Sequence, residues 1–226
     1  MISRGNPKTS NQKHRLLALA LASLAGTFAG MAQEGRGTAK LTFTKVLDGS
    51  MPEFMEITVD SSGAGTYDGR KHSDPPSARP LRLSPGTTQR LFALAHGMNN
   101  FKSVDLESHK NVANLGHKTF TYEWEGQKNS AEFNYSVRHD AQELAEIFEK
   151  ISSVEEHIKS LEFATKYDHL SLPKELLQIQ IDLNNQALAD PQLMVPALEQ
   201  IAHEPHLLQL AQVRAQDILE RVKVNN

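Results

Sequence analysis

The chain has 226 residues, a formal net charge of −3 and no cysteine. This length allows one large domain or two small ones, and the lack of cysteine excludes disulfides, thiol catalysis and cysteine-ligated metals. Residues 33–226 hold 20 basic and 27 acidic side chains, a net charge of −7, which argues against a protein that binds nucleic acid through its phosphates.

The first 32 residues predict a signal peptide. A basic stretch up to Arg15 runs into the apolar segment 16–22, and small residues continue to Ala32. We expect cleavage between Ala32 and Gln33 and export of the remainder. A cysteine-free exported chain fits a bacterial periplasm or the medium. Because the apolar stretch is only marginal for a membrane span, an uncleaved N-terminal anchor in the inner membrane is the alternative.

Glycine divides the rest of the chain into two parts. All 13 glycines lie at or before Gly126, and aromatic residues end at Tyr167. Turns of β structure use glycine for its positive φ, whereas helices disfavour it. We therefore predict an α+β domain over residues 38–163 and an all-helical C-terminal region over residues 168–226.

Alternating apolar and polar residues predict strands at 39–47 and 53–60, and a third strand begins at 65–69. The proline-rich segment 70–83 predicts a loop. Ser84, which a proline follows, predicts the N-cap of a helix.

Residues 117–137 predict a hairpin with a two-residue turn at Glu125 and Gly126. This turn pairs positions whose numbers sum to 251 and so places five aromatic side chains on one face. Half-buried sheets produce such one-sided alternation, so we interpret this face as core rather than as a stacking platform for bases or sugars. The five are Phe120, Tyr122, Trp124, Phe133 and Tyr135.

The segment 139–163 predicts a long helix with one apolar face. Glu146–Lys150 and Glu155–Lys159 are expected to pair at i,i+4 on its exposed side. The resulting order, β-β-β-α-β-β-α, predicts a mostly antiparallel sheet covered by helices.

Prolines predict where the later helices begin. We expect Pro196 to break or kink the second of these helices. The three expected starts are Leu172–Pro173, Asp190–Pro191 and Glu204–Pro205.

The sequence contains no recognisable catalytic constellation, metal-binding spacing or cofactor motif. His109, His117 and His139 lie around the hairpin and could converge on a metal, which leaves a hydrolase or metal-binding enzyme as an alternative. A locally basic loop is the candidate for partner contact, since long loops often carry binding residues. Its four basic side chains are Arg70, Lys71, Arg79 and Arg82.

The segment 56–69 resembles a strand-turn-strand unit of small secreted bacterial domains, which continue with a helix, here at 83–94. With the strand at 119–122 and the terminal helix at 212–219, most of residues 38–226 is similar to an uncharacterised family of exported bacterial proteins. This resemblance implies export, and it implies neither an activity nor functional residues.

A more distant likeness, in element order only, covers about residues 39–100. It is to emfourin-type proteinaceous inhibitors of thermolysin-like proteases, and it implies a protease-inhibitor role as a further alternative. The main prediction is an exported protein without catalysis or cofactor. It would contact an unidentified protein partner in the envelope or medium, and a membrane only through an uncleaved signal segment.

Overall fold

The computed structural model describes residues 38–224, so the predicted signal peptide and its cleavage site at Ala32 and Gln33 lie outside the described residues. Within the described part, six strands form one sheet: β1 (Lys40–Val46), β2 (Phe54–Asp60), β3 (Ala64–Arg70), β4 (Arg79–Arg82), β5 (His117–Trp124) and β6 (Gln127–Phe133). All neighbours are antiparallel, in the order β4-β3-β2-β1-β5-β6.

Five α-helices lie in the same part of the chain: α1 (Pro85–Gly97), α2 (His139–Tyr167), α3 (Leu172–Asn184), α4 (Val195–His203) and α5 (Gln209–Val224). Short 3-10 helices occur at Asn99–Phe101 and Pro191–Met194. The predicted α+β class, with an antiparallel sheet and a helical C-terminal region, is confirmed.

The segment 70–83 is not wholly a loop, as its prolines predict, because β4 lies within it. This strand pairs with β3 at the sheet edge. The Leu83 N–H donates to the Gly63 carbonyl at 2.8 Å, and alternate residues of an antiparallel strand face the same neighbour. Pro80 therefore faces outward, where its missing N–H leaves no ladder bond unmade.

The β5–β6 hairpin has the predicted register and turn. Glu125 and Gly126 both have positive φ, 48° and 75°, as a tight two-residue hairpin turn requires. Phe120 is fully buried, but Trp124 is 48% exposed, so its predicted place in the core is wrong. Trp124 is the last residue of β5, beside the exposed turn residues Glu125 and Gly126.

One face of the sheet packs against α1 and the first half of α2 to form the main core. Phe43 lies at its centre, with ring centroids 5.3 Å from Phe120 and 5.1 Å from Phe148. A second cluster joins the later half of α2 to α3, α4 and α5. Because α2 contributes to both clusters, it connects the sheet to the C-terminal helices.

The helix predicted from Pro191 is divided just before Pro196, where the 3-10 helix ends at Met194 and α4 begins at Val195. Pro196 lies in the first turn of α4, which does not need the proline's missing N–H. One predicted start in the C-terminal region is wrong. The last helix begins at Gln209 rather than Pro205. The Leu207 N–H instead donates to the Glu204 carbonyl at 3.2 Å, and this turn buries the Leu207 side chain.

Candidate functional site

A groove of about 610 Å³ lies beside β4, the edge strand of the sheet. Residues of β3 and β4 line it from the sheet, and α2 and the start of α4 complete it. Ligand sites commonly have volumes of about 300–1,000 Å³. This β4–α4 groove combines apolar lining residues such as Leu81, Ile158 and Ala197 with the charged residues Arg79 and Glu155.

Arg79 connects the edge strand to the long helix at the groove. Its Nη1 and Nη2 atoms donate to the two carboxylate oxygens of Glu162, at 2.9 and 2.7 Å. The planar guanidinium suits this bidentate geometry. The hydrogen bonds to Glu162 raise the pKa of Arg79, so its positive charge is permanent and already paired.

Glu155 lines the groove and is only 4% exposed, whereas buried carboxylates normally have a partner. Its carboxylate makes no hydrogen bond or ion pair within the described part of the chain. No side-chain oxygen there is both shut off from solvent and unpaired, so the Glu155 oxygens keep some contact with solvent in a residue that lines the groove. Burial raises the pKa of Glu155, and the nearby carboxylates Glu162 and Glu156 add to the rise. Arg79 and Lys159 oppose that rise without cancelling it.

A buried hydrogen-bond network joins β3 to α2 one residue along from Glu155. The hydroxyl of fully buried Tyr67 donates to Glu156 at 2.6 Å and lies 2.9 Å from the Ser152 hydroxyl. The Lys159 ammonium donates to Glu156 at 2.8 Å and to the Gly69 carbonyl at 2.5 Å. Burial raises the pKa of Tyr67. These groups position α2. Because Lys159 donates to Glu156 and Gly69, it makes no hydrogen bond to Glu155.

Of the four basic residues predicted to contact a partner, the structure brings Arg79 and Arg82 together at the groove. Arg70 is largely buried, and its Nε atom donates to Asp68 at 3.1 Å. Lys71 is exposed at the start of the following loop. Arg70 thus holds local structure, whereas the two later arginines line a cavity.

The loop 71–78 is exposed along its whole length and is anchored at both ends by one carboxylate. Buried Asp68 accepts hydrogen bonds from Arg70 at 3.1 Å and from the Ser77 N–H at 3.3 Å. Arg70 also donates to the Asp74 carbonyl at 2.8 Å. The loop is therefore held at its base while its side chains face solvent.

The three histidines predicted around the hairpin lie in separate surface environments. His109 bonds Asp105 at 2.7 Å, which raises the pKa of that histidine, and His117 lies 3.3 Å from Glu132. His139 is exposed at the start of α2. Among residues 38–224, no group of three or more histidine or acidic side chains is placed to bind a metal ion.

The predicted pairing of Glu155 with Lys159 on the exposed side of α2 is wrong. Lys159 pairs with Glu156 instead. Glu155 lies four residues after Ile151 and three before Ile158, both buried, and such spacing places it on the apolar face. The spacing was therefore a usable signal, although glutamate is a residue type normally found in water.

A scan of protein-family models finds no match to the chain, and searches of curated proteins and solved structures find none either. In the part of the chain that the structure describes, no helix is both long enough and apolar enough to cross a membrane. The geometry and charges of the β4–α4 groove are accordingly the basis for a functional inference.

Proposed function

We propose that the protein is an exported, non-catalytic protein-interaction module and that the β4–α4 groove is its binding surface. The observation that carries this proposal is the groove itself, about 610 Å³ in volume, with apolar lining and the unpaired carboxylate of Glu155 inside it. Apolar lining supplies affinity, and a few placed polar groups supply specificity. The basic, apolar and small-residue segments of the N-terminus support export to the envelope or medium.

The edge strand indicates how a partner would bind. β4 has four residues, and its outward-facing positions are Pro80 and Arg82. Pro80 has no N–H to donate, so an added strand could not form a continuous ladder there. We therefore expect a partner to contact the groove through side chains rather than by extending the sheet.

Site-specific photo-crosslinking tests this function. A photoreactive residue replaces Gln200, which is exposed at the groove, or Ser130, which is exposed on the far edge strand β6. We expect a discrete protein adduct from position 200 in the source cell and none from position 130. The purified partner should then bind the native chain with a measurable Kd. Equal adducts at both positions, or none at position 200, would contradict the proposal.

A protease-inhibitor role is the second candidate, and the exposed loop 71–78 favours it. Its anchoring through Asp68 holds an accessible segment in a defined shape, as a substrate-like inhibitor requires to limit its ordering cost. Titration of thermolysin with the purified protein should produce stoichiometric inhibition if this role is correct. Full protease activity at a large molar excess would remove this candidate and leave the groove proposal intact.

A further inference from the structure

Glu155 is the one lining carboxylate of the groove, among the described residues, that lacks a partner, since Glu162 pairs with Arg79. Arg82 makes no ion pair in that part of the chain and donates only to the Ser62 carbonyl, at 3.4 Å and exposed to solvent. A ligand that enters the groove therefore meets a carboxylate without a hydrogen-bond partner.

The surroundings of Glu155 favour a long side chain over a small free ion. Ile158, Leu193 and Ala197 supply apolar lining beside the carboxylate. Lysine and arginine have apolar stems that pack on such surfaces while the charged end reaches a polar partner. An inorganic cation would need several oxygen ligands, and the described residues place no such group here.

We propose that the β4–α4 groove recognises a lysine or arginine side chain of the partner protein, whose charged end pairs with Glu155. This inference rests on the proposed binding function and specifies what the groove selects. The pair forms in a largely desolvated site, where a charge-assisted hydrogen bond is stronger than at the surface. A neutral side chain of the same shape would leave Glu155 unpaired and would bind more weakly.

The pH dependence follows from the charges that face Glu155. Burial and the carboxylates Glu156 and Glu162 of α2 raise its pKa, and the attraction of Arg79 from β4 and of Lys159 opposes this. The residues of α4 that line the groove, such as Gln200, carry no charge. Since only ionised Glu155 attracts a cation, binding weakens as the pH falls through its raised pKa. The loss should begin at a higher pH than for an ordinary glutamate.

Calorimetric titration of the full chain with two peptides tests the inference. The probes are N-acetylated, C-amidated Ala-Leu-Arg-Leu-Ala and the same peptide with citrulline, the neutral isostere, in place of arginine. We expect the arginine peptide to bind at least about tenfold more tightly at pH 7.5. In Glu155→Gln the two peptides should bind equally. Glu146→Gln, an exposed glutamate of the same helix that pairs with Lys150, is the matched control and should keep the preference.

Each other result overturns the inference in a distinguishable way. If both peptides bind the native chain equally, the groove binds peptides without distinguishing arginine from citrulline. The inference is then wrong, and the proposed binding function is unaffected. If Glu155→Gln still prefers the arginine peptide, a residue other than Glu155 pairs with the arginine. If neither peptide binds, cation recognition is wrong, while crosslinking at position 200 still decides the function. Should Glu155→Gln fail to fold, the native chain must lose its arginine preference between pH 7.5 and 4, or the inference fails.

Discussion

Asp190 accepts hydrogen bonds from both the backbone N–H and the hydroxyl of Ser84, at 2.6 and 2.8 Å. Ser84 is the N-cap of α1, and Asp190 directly precedes the 3-10 helix Pro191–Met194 that leads into α4. One buried carboxylate thus connects the first helix over the sheet to the C-terminal helices. The same contact holds the start of α4 near β4, where the two elements line the groove.

Replacing Asp190 by alanine should lower the free energy of unfolding by about 1–3 kcal/mol, because the cap of α1 loses a charged acceptor. Asp190 also has a left-handed backbone, with φ 54°, which alanine disfavours. Asp190→Gly separates the two effects, since glycine accepts this φ freely. Urea unfolding of both variants measures the loss. If the alanine and glycine variants were both as stable as the native protein, the hydrogen bonds to Ser84 would contribute nothing.

Glu155→Gln should stabilise the protein at neutral pH. The folded-state pKa of Glu155 is raised, so the folded protein binds its proton more tightly than the unfolded chain does, and ionisation above the unfolded value costs stability. The gain from glutamine should therefore be largest at pH 7–8. It should vanish below the ordinary glutamate pKa of 4.5. Urea unfolding at pH 4.0 and 7.5 measures this difference.

The control for that series is Glu146→Gln, which removes an exposed carboxylate of the same helix. Exposed pairs contribute about 0–1 kcal/mol, so its stability should change little and without the same pH trend. A Glu155 variant that behaves like this control would contradict the assignment of Glu155 as a buried charge.

Arg79→Gln should raise the pKa of Glu155 further, because attraction to Arg79 holds that pKa down. Carbon-13 NMR titration of the glutamate side chains measures the shift. Arg82→Gln is the matched control, since Arg82 is not among the main causes of the shift in the pKa of Glu155. Stability should fall by about 1 kcal/mol or less, since the lost pair with Glu162 is partly exposed. A pKa of Glu155 unchanged by Arg79→Gln would place the arginine too far away to matter.

Tyr67→Phe should destabilise the protein by about 1–3 kcal/mol. The hydroxyl is fully buried, and its loss leaves Glu156 and Ser152 each without one partner. Tyr135→Phe is the control, because that half-buried hydroxyl accepts a single hydrogen bond within residues 38–224, from Gln142 at 3.2 Å. Thermal unfolding of the two variants should show the larger loss for Tyr67. Equal losses would mean that the network between β3 and α2 contributes no more than the single half-buried hydrogen bond of Tyr135.

Interactions between residues close together in the chain were predictable. The Ser84 hydroxyl accepts the Thr87 N–H at 3.2 Å, as the capping pattern indicates. The Glu125–Gly126 turn and the register of its hairpin follow from turn chemistry within a few residues. Such features depend on local backbone preference, so distant elements change them little.

The groove could not be predicted in the same way. The proline-rich segment that contains β4 indicates a loop from its sequence. It forms a strand because it pairs with β3 at the sheet edge. Glu155 is buried because α4 and the edge strand pack beside α2, although its spacing already placed it on the apolar face. The position of α4 depends in turn on contacts such as that of Asp190 with Ser84, 106 residues apart in sequence.

Periodicity, glycine usage and caps act over short distances, so they were enough to predict the α+β class, the antiparallel hairpin and the helical C-terminal region. The exposure of Trp124, the start of the last helix at Gln209 and the position of Glu155 at a groove became visible only in the folded chain. Burial of a given side chain depends on which distant element covers it. A short-range sequence pattern does not show which distant element that is. The packing of the helices against the sheet determines it.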